Sequence, residues 1–477
     1  MNRKIFFSGF FWKFNEQISM QLVQFFVQII LARLLSPKDY GIVALVNVFI
    51  FLADVFVVSG FNTSLIQKKD SNEEDFSTIF YCSLFFSIFV YAVIYVLAPL
   101  ISKFYNNDSI VLILRVFALK LPISSFNAIQ QAYVAKKMAF KKIFVSTTLA
   151  TLLSGMIGIF LAIMNKGVWA LVAQYLSNTF FSTIVLFIQI PWRPKLIFSK
   201  KSAKSLLNYG WKVMMASFLG RLFSQLRTLL IGKYYSSASL AYYNRGMQFP
   251  DLISNNVDTT ISTVLFPYMS QKSNSLEELK SITRRAMKTS TYLIMPLMFG
   301  LAVVSKPLIL LLLTAKWLPS VPYMQCLCIA NAFSTITNTN LQAIQASGRS
   351  DLLLRLELVK KPVFLLLLII AIKIDVLAIA ITMIIYSIYA AIVNMKPNTK
   401  IINYTYKEQI MDILPPLLMS VIMGSVVWFV SLLSMPLLLS LILQILIGLM
   451  TYLGESYLFK YEPYQYLIGY LKDVVNK

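Results

Sequence analysis

Long apolar runs recur along the whole chain, one in every roughly 25–35 residues, and they restrict the fold more than any other feature. A helix of roughly 20 apolar residues is long enough to cross a hydrocarbon core of about 30 Å. Because lipid offers backbone polar groups no partner, only helices and closed barrels can span that core. The runs predict an all-α polytopic membrane protein.

We predict about fourteen transmembrane helices, each with an error of a few residues at its ends. The expected spans are 9–34, 41–66, 76–101, 110–134, 143–164, 168–190, 209–233, 240–268, 286–305, 320–346, 350–372, 375–395, 411–433 and 436–459. The longest connection between them, 191–208, is short. The sequence therefore predicts neither a soluble domain nor a large external loop.

The charges indicate an orientation. The net charge is +23, which in a soluble protein would suggest nucleic acid as a partner. Here most Lys and Arg residues lie in short loops between apolar runs, where they retain a loop in the cytoplasm. With an even number of helices, both termini are expected on the cytoplasmic side of the membrane. Membrane lipids, rather than nucleic acid, are then the expected partners.

Catalytic chemistry has little support in the sequence. The chain has no histidine, and its cysteines lie within apolar runs at Cys82, Cys326 and Cys328. Without histidine the commonest metal ligand and acid–base group is missing. We find no glycine-rich phosphate loop and no nucleophile–base pair. No metal site, cofactor or enzymatic activity is predicted.

Polar residues lie on one face of several spans, where they are costly and commonly functional. The first span carries glutamines at steps of four, three and four, on one helical face: Gln17, Gln21, Gln24 and Gln28. The seventh repeats this spacing 200 residues later, with Ser217, Arg221, Ser224 and Thr228. A shift of 204 maps Asn47 and Asp54 of the second span onto Asp251 and Asp258 of the eighth.

The fourth and tenth spans repeat in the same way. A shift of 211 maps the first of two stripes onto the second: Lys120, Ser124, Asn127 and Gln131, then Asn331, Thr335, Asn338 and Gln342. For any single residue, an ordinary contact between helices is the alternative. Together the stripes predict two pseudo-symmetric six-helix halves, 1–200 and 201–400, around a central polar cavity. Two additional helices and a cytoplasmic tail follow in 401–477, and such duplication is typical of alternating-access transporters.

Four motifs resemble those of a known family. They are LARLLSPKDYG at 31–41, GFNTSLI at 60–66, YYNRG at 242–246 and QASGR at 345–349. In their order and positions they are similar to the polysaccharide transporter, or oligosaccharide flippase, family. Its superfamily also includes the multidrug extruders and the lipid II flippase. The resemblance covers nearly the whole chain.

The resemblance implies a substrate and its partners. A flippase of this family moves an undecaprenyl-diphosphate-linked repeat unit from the inner to the outer leaflet, for O-antigen, capsule or exopolysaccharide synthesis. The polysaccharide polymerase complex is then a further expected partner. Neither a diphosphate nor a glycan can cross hydrocarbon unaided, so cations and amides within the spans become candidate ligands.

We expect Arg221 to bind phosphate, followed by Lys120 and Arg227. For Arg245, extension to the membrane interface is the alternative to a ligand role. The amides in the stripes and on the eighth span are expected to bind sugar hydroxyls: Gln21, Gln24, Gln28, Asn127, Asn244, Gln248 and Asn338.

The acids in the spans are candidates for coupling transport to protons or sodium. Asp251 and Asp258 share a face two turns apart and are the better candidates. For Asp54 and Glu16, a structural ion pair is the alternative. Arg33 lies at an expected outer boundary, where the positive-inside rule would not place it, and is a candidate gate residue.

Two other functions remain open. A multidrug or cation extruder of the same superfamily would need an acidic cavity; Asp251 and Asp258 favour it, and Arg221 and Lys120 argue against it. A membrane polysaccharide polymerase or ligase has a similar number of helices. Such enzymes typically carry a large external loop with catalytic His or Arg, and this chain has neither histidine nor that loop.

Overall fold

The structure is a computed structural model that describes the backbone of residues 3–59, 65, 68, 71–272, 275–466 and 469. Within these, it describes all side chains except those of residues 3–11, 14, 59, 209 and 264. This part of the chain is helical and contains no β-strand. The motif at 60–66 lies outside the described residues, apart from Leu65.

The chain forms two compact units, and the first comprises Met1–Ala241. A short π-helical turn, Val55–Ser59, follows its second helix. Its complete helices are α1 (Arg3–Leu34), α2 (Pro37–Asp54), α3 (Glu73–Tyr105), α4 (Ser109–Phe117), α5 (Lys120–Lys136), α6 (Phe140–Ile163), α7 (Val168–Gln189) and α8 (Lys200–Tyr234).

The second unit comprises Tyr242–Lys477, and α9 (Ser237–Gln271) runs into it from the first. Its other helices are α10 (Leu276–Val303), α11 (Ser305–Leu313), α12 (Val321–Ala332), α13 (Ser334–Ala346), α14 (Ser350–Ala371), α15 (Val376–Ile401), α16 (Tyr406–Ser431) and α17 (Leu437–Leu458). The two units are groups of residues that lie close together in space. They do not test the predicted repeat bounds 1–200, 201–400 and 401–477, which stay a prediction.

The described part of each expected span is mainly helical, but the spans are not equally apolar. Among the described residues, ten segments are long and apolar enough to cross a membrane. The expected spans 209–233, 240–268, 320–346 and 350–372 are helical and carry more polar and charged residues. Two spans are each built from two helices, α4 with α5 and α12 with α13. The count of fourteen therefore stays a prediction.

The surface of the helices is that of a protein in lipid. Large apolar side chains point outward, among them Phe85 at 68% exposure, Val96 at 71% and Leu458 at 75%. A soluble monomer rarely exposes contiguous apolar surface on this scale. In hydrocarbon such a surface costs nothing, so the exposed side chains support a multi-pass membrane protein.

The turn between α1 and α2 has the structure that its sequence indicates. Ser36 is the N-cap, its hydroxyl accepts from the Asp39 N–H at 3.3 Å, and its own N–H donates to the Asp39 carboxylate at 3.1 Å. Pro37 occupies the first helical position, where its missing N–H costs nothing. The interruption between helices recurs 200 residues later: α8 ends at Tyr234 and α9 begins at Ser237.

Two glycines within the family-like motifs allow close helix approach. A Cβ added at Gly41 would lie 1.7 Å from the Ser237 carbonyl oxygen. A Cβ added at Gly246 would lie 2.8 Å from the Met324 nitrogen and 2.9 Å from the Ser320 oxygen. Small residues commonly bring membrane helices into contact. Each motif therefore fixes one site at which two backbones meet.

Candidate functional site

A ladder of hydrogen bonds joins α9 to α12 and α13 inside the second unit. The Asn331 amide donates to Asp251 at 2.9 Å. The hydroxyls of Ser334 and Thr335 donate to the two carboxylate oxygens of Asp258 at 3.2 and 3.1 Å. The Gln342 amide also donates to the Ser262 hydroxyl at 3.0 Å. We call this set of hydrogen bonds the polar ladder. The stripes of the eighth and tenth spans thus face each other.

Asp258 has several neutral polar partners in the ladder. Asn338 also lies within hydrogen-bonding reach of its carboxylate. Carboxylate, hydroxyl and amide oxygens are hard ligands of the type that alkali and alkaline-earth ions prefer. Among the described residues no group of three or more His, Cys, Asp or Glu side chains could hold a metal ion. A cation at Asp258 would therefore depend on the neutral oxygens around it.

In the first unit Asp54, the acid that the predicted repeat maps onto Asp258, faces a cation. The Lys120 ammonium of α5 lies 3.9 Å from one Asp54 carboxylate oxygen. The other oxygen is buried and has no hydrogen-bond partner among the described residues. Asp54 ends α2 just before the π-helical turn, a distortion that is frequent at functional sites. The carboxylate is held loosely compared with Asp258.

Arg221 reaches the same turn of α2. Its guanidinium donates to the Phe51 carbonyl oxygen at 3.0 Å and lies 4.3 Å from the centroid of the Phe51 ring. Residues 51 and 54 are neighbours on a helix surface. The structure therefore brings the first two predicted phosphate ligands, Arg221 and Lys120, to one turn of α2. Arg227 is half-buried on the same helix as Arg221.

Several predicted ligands already contact other parts of the protein. The Asn127 amide donates to the Ser182 hydroxyl at 3.0 Å, and Gln28 accepts from the Tyr40 hydroxyl at 3.5 Å. Glu16 is buried and paired with Lys13 at 2.6 Å. Of the remaining α1 residues, Gln24 and Arg33 are exposed and Gln21 is half-buried. Their roles in substrate binding and gating stay predictions.

The start of α9 contains a buried arginine. Arg245 is 6% exposed, so its side chain is enclosed by other parts of the protein. Its guanidinium donates to Gln248 and lies 5.0 Å from the Trp317 ring centroid. The Asn244 amide oxygen is buried without a hydrogen-bond partner among the described residues.

An ion-pair cluster between α10 and α16 was missed from the sequence. Arg284 donates to both carboxylate oxygens of Asp412, at 2.8 and 3.0 Å. Lys280 bonds Glu408 at 2.8 Å, one turn away on both helices. The signal was available: the cations at 280, 284 and 288 and the acids at 408 and 412 follow steps of four, which place them on one face.

Asp412 is the centre of the ion-pair cluster. It is 4% exposed and also accepts from the Tyr404 hydroxyl at 2.7 Å. Burial, together with this hydrogen bond, raises the pKa of Tyr404 above its usual range, so the phenol stays protonated as a donor. The cluster attaches the C-terminal helices to α10 through a fully hydrogen-bonded buried charge.

Comparison with known proteins places these features in a family. The profile of a family described as "Polysaccharide biosynthesis protein" matches residues 30–322. The teichuronic acid biosynthesis protein TuaB of Bacillus subtilis is 22% identical over 349 residues, 72% of each chain. The lipopolysaccharide biosynthesis protein WzxC of Escherichia coli is 24% identical over 354 residues, 73% of this chain and 70% of its own.

Among solved structures, the fold is similar to that of the lipid II flippase MurJ in an inward closed conformation. The TM-score is 0.76 at 19% sequence identity. The match covers 96% of this chain and 100% of that chain. The helix arrangement therefore follows that fold over nearly the whole sequence.

Proposed function

The chain belongs to the family of polysaccharide biosynthesis proteins, and from this premise we propose that it is a flippase. Its substrate would be an undecaprenyl-diphosphate-linked oligosaccharide repeat unit, moved from the inner to the outer leaflet of the bacterial cytoplasmic membrane. The product would serve O-antigen, capsule or exopolysaccharide synthesis. The observation that carries this proposal is that two cations, Lys120 of α5 and Arg221 of α8, contact the same turn of α2.

The comparisons support the substrate class. TuaB and WzxC are named for teichuronic acid and lipopolysaccharide biosynthesis, and MurJ is named as a lipid II flippase. All three names concern cell-surface glycans. A transporter, rather than a polymerase or ligase, agrees with both the fold and the absence of histidine.

The geometry of the cation pair supports phosphate recognition by partner exchange. At 3.9 Å the Lys120–Asp54 pair is long for a charge-assisted hydrogen bond, which is normally about 2.7–2.9 Å. An arriving diphosphate would offer Lys120 a better partner, while the planar guanidinium of Arg221 can bind a second phosphate oxygen. Asp54, released from Lys120, would then be free to protonate or to bind a cation.

The number of spans, their orientation and the internal repeat are also consistent with a flippase. We propose fourteen spans with both termini in the cytoplasm, arranged as repeats 1–200 and 201–400 with an added pair of helices in 401–477. The recurrence of the α1–α2 turn at α8–α9 supports the repeat. The excess of Lys and Arg in the expected cytoplasmic loops supports the orientation.

Arg221→Ala is expected to lower surface polysaccharide at least about tenfold, because a charge-assisted hydrogen bond contributes roughly 1.5–3 kcal/mol. The measurement is polysaccharide on cells that depend on this protein, alongside protein level in the membrane. The control is Lys212→Ala, an exposed cation on the same helix outside the stripe. If the variant cells carried as much surface polysaccharide as the unaltered cells, at normal protein level, Arg221 would not be a substrate ligand.

Ion coupling is proposed at Asp258, whose neutral oxygen neighbours suit a sodium ion or an exchangeable proton. Asp258→Asn keeps the shape of the side chain and removes its charge. We expect transport in vesicles to be low in this variant and no longer to respond to collapse of the ion gradient. Asp108→Asn, an exposed acid outside the polar ladder, serves as the control. Gradient dependence like that of the unaltered protein would exclude Asp258 as the coupling residue.

The extruder of the same superfamily is the alternative, since the acids of the polar ladder would suit a cationic drug. Both Asp251 and Asp258 are already hydrogen-bonded to α12 and α13. If deletion of the gene left surface polysaccharide intact and sensitised cells to cationic dyes, the extruder would replace the flippase.

A further inference from the structure

A cavity lies between α9 and α10 inside the second unit. Its volume is about 790 Å³, within the range of roughly 300–1,000 Å³ that is typical of ligand pockets. Apolar side chains of both helices line it, Ile261 and Leu265 from α9 and Ile282 and Leu293 from α10. Arg285 and Tyr466 also line it, and both additionally border a smaller cavity of about 220 Å³.

The cavity has a charged end and an apolar end. Arg285 and Leu293 are eight residues apart on α10, which corresponds to about 12 Å along the helix axis. Near the charged end Lys272 and Glu278 form an ion pair at 3.0 Å. Arg285 immediately precedes the span expected at 286–305, so this end lies at a membrane surface. A ligand that fits both ends must itself be amphipathic.

Arg285 is the cation of this cavity that has no ion pair among the described residues. Its guanidinium is exposed and lies 4.0 Å from the centroid of the Tyr466 ring. Stacking on the ring face orients the guanidinium and leaves its N–H groups at the edge, where they can bind an anion. The neighbouring Lys288 is already bound, at 2.7 Å from Glu462 and 3.7 Å from Asp412.

We propose that this cavity binds an anionic phospholipid of the surrounding leaflet, with its phosphate on Arg285 and an acyl chain along the apolar residues towards Leu293. One unpaired guanidinium matches the single negative charge of a phosphodiester. A polyprenyl diphosphate carries more charge than this cation can neutralise. On the proposed orientation the lipid comes from the cytoplasmic leaflet. The proposal does not depend on what the chain transports.

The test uses the full chain purified in detergent and titrated with phosphatidylglycerol, with bound lipid counted by native mass spectrometry. We expect Arg285→Gln to bind phosphatidylglycerol about tenfold more weakly, the loss typical of a bidentate charge-assisted contact. The matched control is Arg355→Gln, which removes an exposed arginine of α14 outside the cavity and should leave binding unchanged. Phosphatidylcholine, which has no net charge, should bind the unaltered protein more weakly than phosphatidylglycerol.

A second variant keeps the proposal testable if Arg285→Gln fails to fold. Leu293 is 42% exposed, so Leu293→Trp can narrow the apolar end without overfilling a core, and it should also weaken phosphatidylglycerol binding. Equal losses in the Arg285 and Arg355 variants would indicate unspecific attraction and overturn the site. Binding of undecaprenyl diphosphate, but not of phosphatidylglycerol, through Arg285 would overturn the assigned occupant.

Discussion

Gly41→Ala is expected to destabilise the folded protein by about 3 kcal/mol or more, at the upper end of the cost of overpacking. The added methyl group would lie 1.7 Å from a backbone oxygen, that of Ser237, and 2.4 Å from its carbonyl carbon. Backbone atoms cannot rotate away as the end of a flexible side chain can, so two helix starts must move apart. The measurement is the thermal unfolding midpoint of the solubilised protein, together with its accumulation in the membrane.

Gly220→Ala is the matched control for this substitution. It lies in α8 of the same unit, and a Cβ added there meets no atom within 4 Å. Alanine has the higher helix propensity, so Gly220→Ala should be neutral or stabilising by up to about 1 kcal/mol. Equal unfolding midpoints for the two variants would mean that α2 and the start of α9 are not in the contact described.

Arg284→Ala is expected to cost about 3 kcal/mol of folding free energy, because it leaves the buried carboxylate of Asp412 without its principal partner. Removing one member of a buried ion pair typically costs roughly 3–5 kcal/mol. The lower end applies here, since the Arg284 side chain is 36% exposed and the Tyr404 hydroxyl remains bonded to the acid. Thermal unfolding of the purified protein measures the loss.

The control for Arg284 is its neighbour Lys280, one helical turn away. The Lys280–Glu408 pair is more evenly exposed, at 26% and 29%, and pairs of this kind contribute about 0–1 kcal/mol. Lys280→Ala should therefore shift the unfolding midpoint much less than Arg284→Ala does. A shift of the same size would show that the stabilisation is spread over the cluster and is not centred on Asp412.

Much of this fold could be predicted from periodicity alone. Within the part of the chain that the structure describes, the apolar runs coincide with helices, and the stripe containing Asp258 does face the stripe containing Thr335. The Ser36–Pro37 turn was also predictable, because capping and proline preferences act within a few residues. These features depend on local chain geometry, which the order of residues determines directly.

Contacts between distant segments were harder to predict. Asp412 lies within an apolar run; the steps of four place it and Glu408 on one helical face, but they do not show that its partner is Arg284, 128 residues earlier. Likewise the burial of Arg245 depends on Trp317, which belongs to another helix. The cavity beside Arg285 depends on how α9 and α10 diverge, and a single sequence does not encode that distance in any local pattern.

The 128 residues between Arg284 and Asp412 also separate them in time. At roughly 5–20 residues per second, the ribosome adds Arg284 about 6–25 s before it adds Asp412. During that interval the cations of α10 are unpaired, and on the proposed orientation they hold this end of the helix at the cytoplasmic surface. The same side chains that first orient a nascent helix later bind the acids of α16. A chain that stopped before Glu408 would leave Lys280 and Arg284 permanently without these partners.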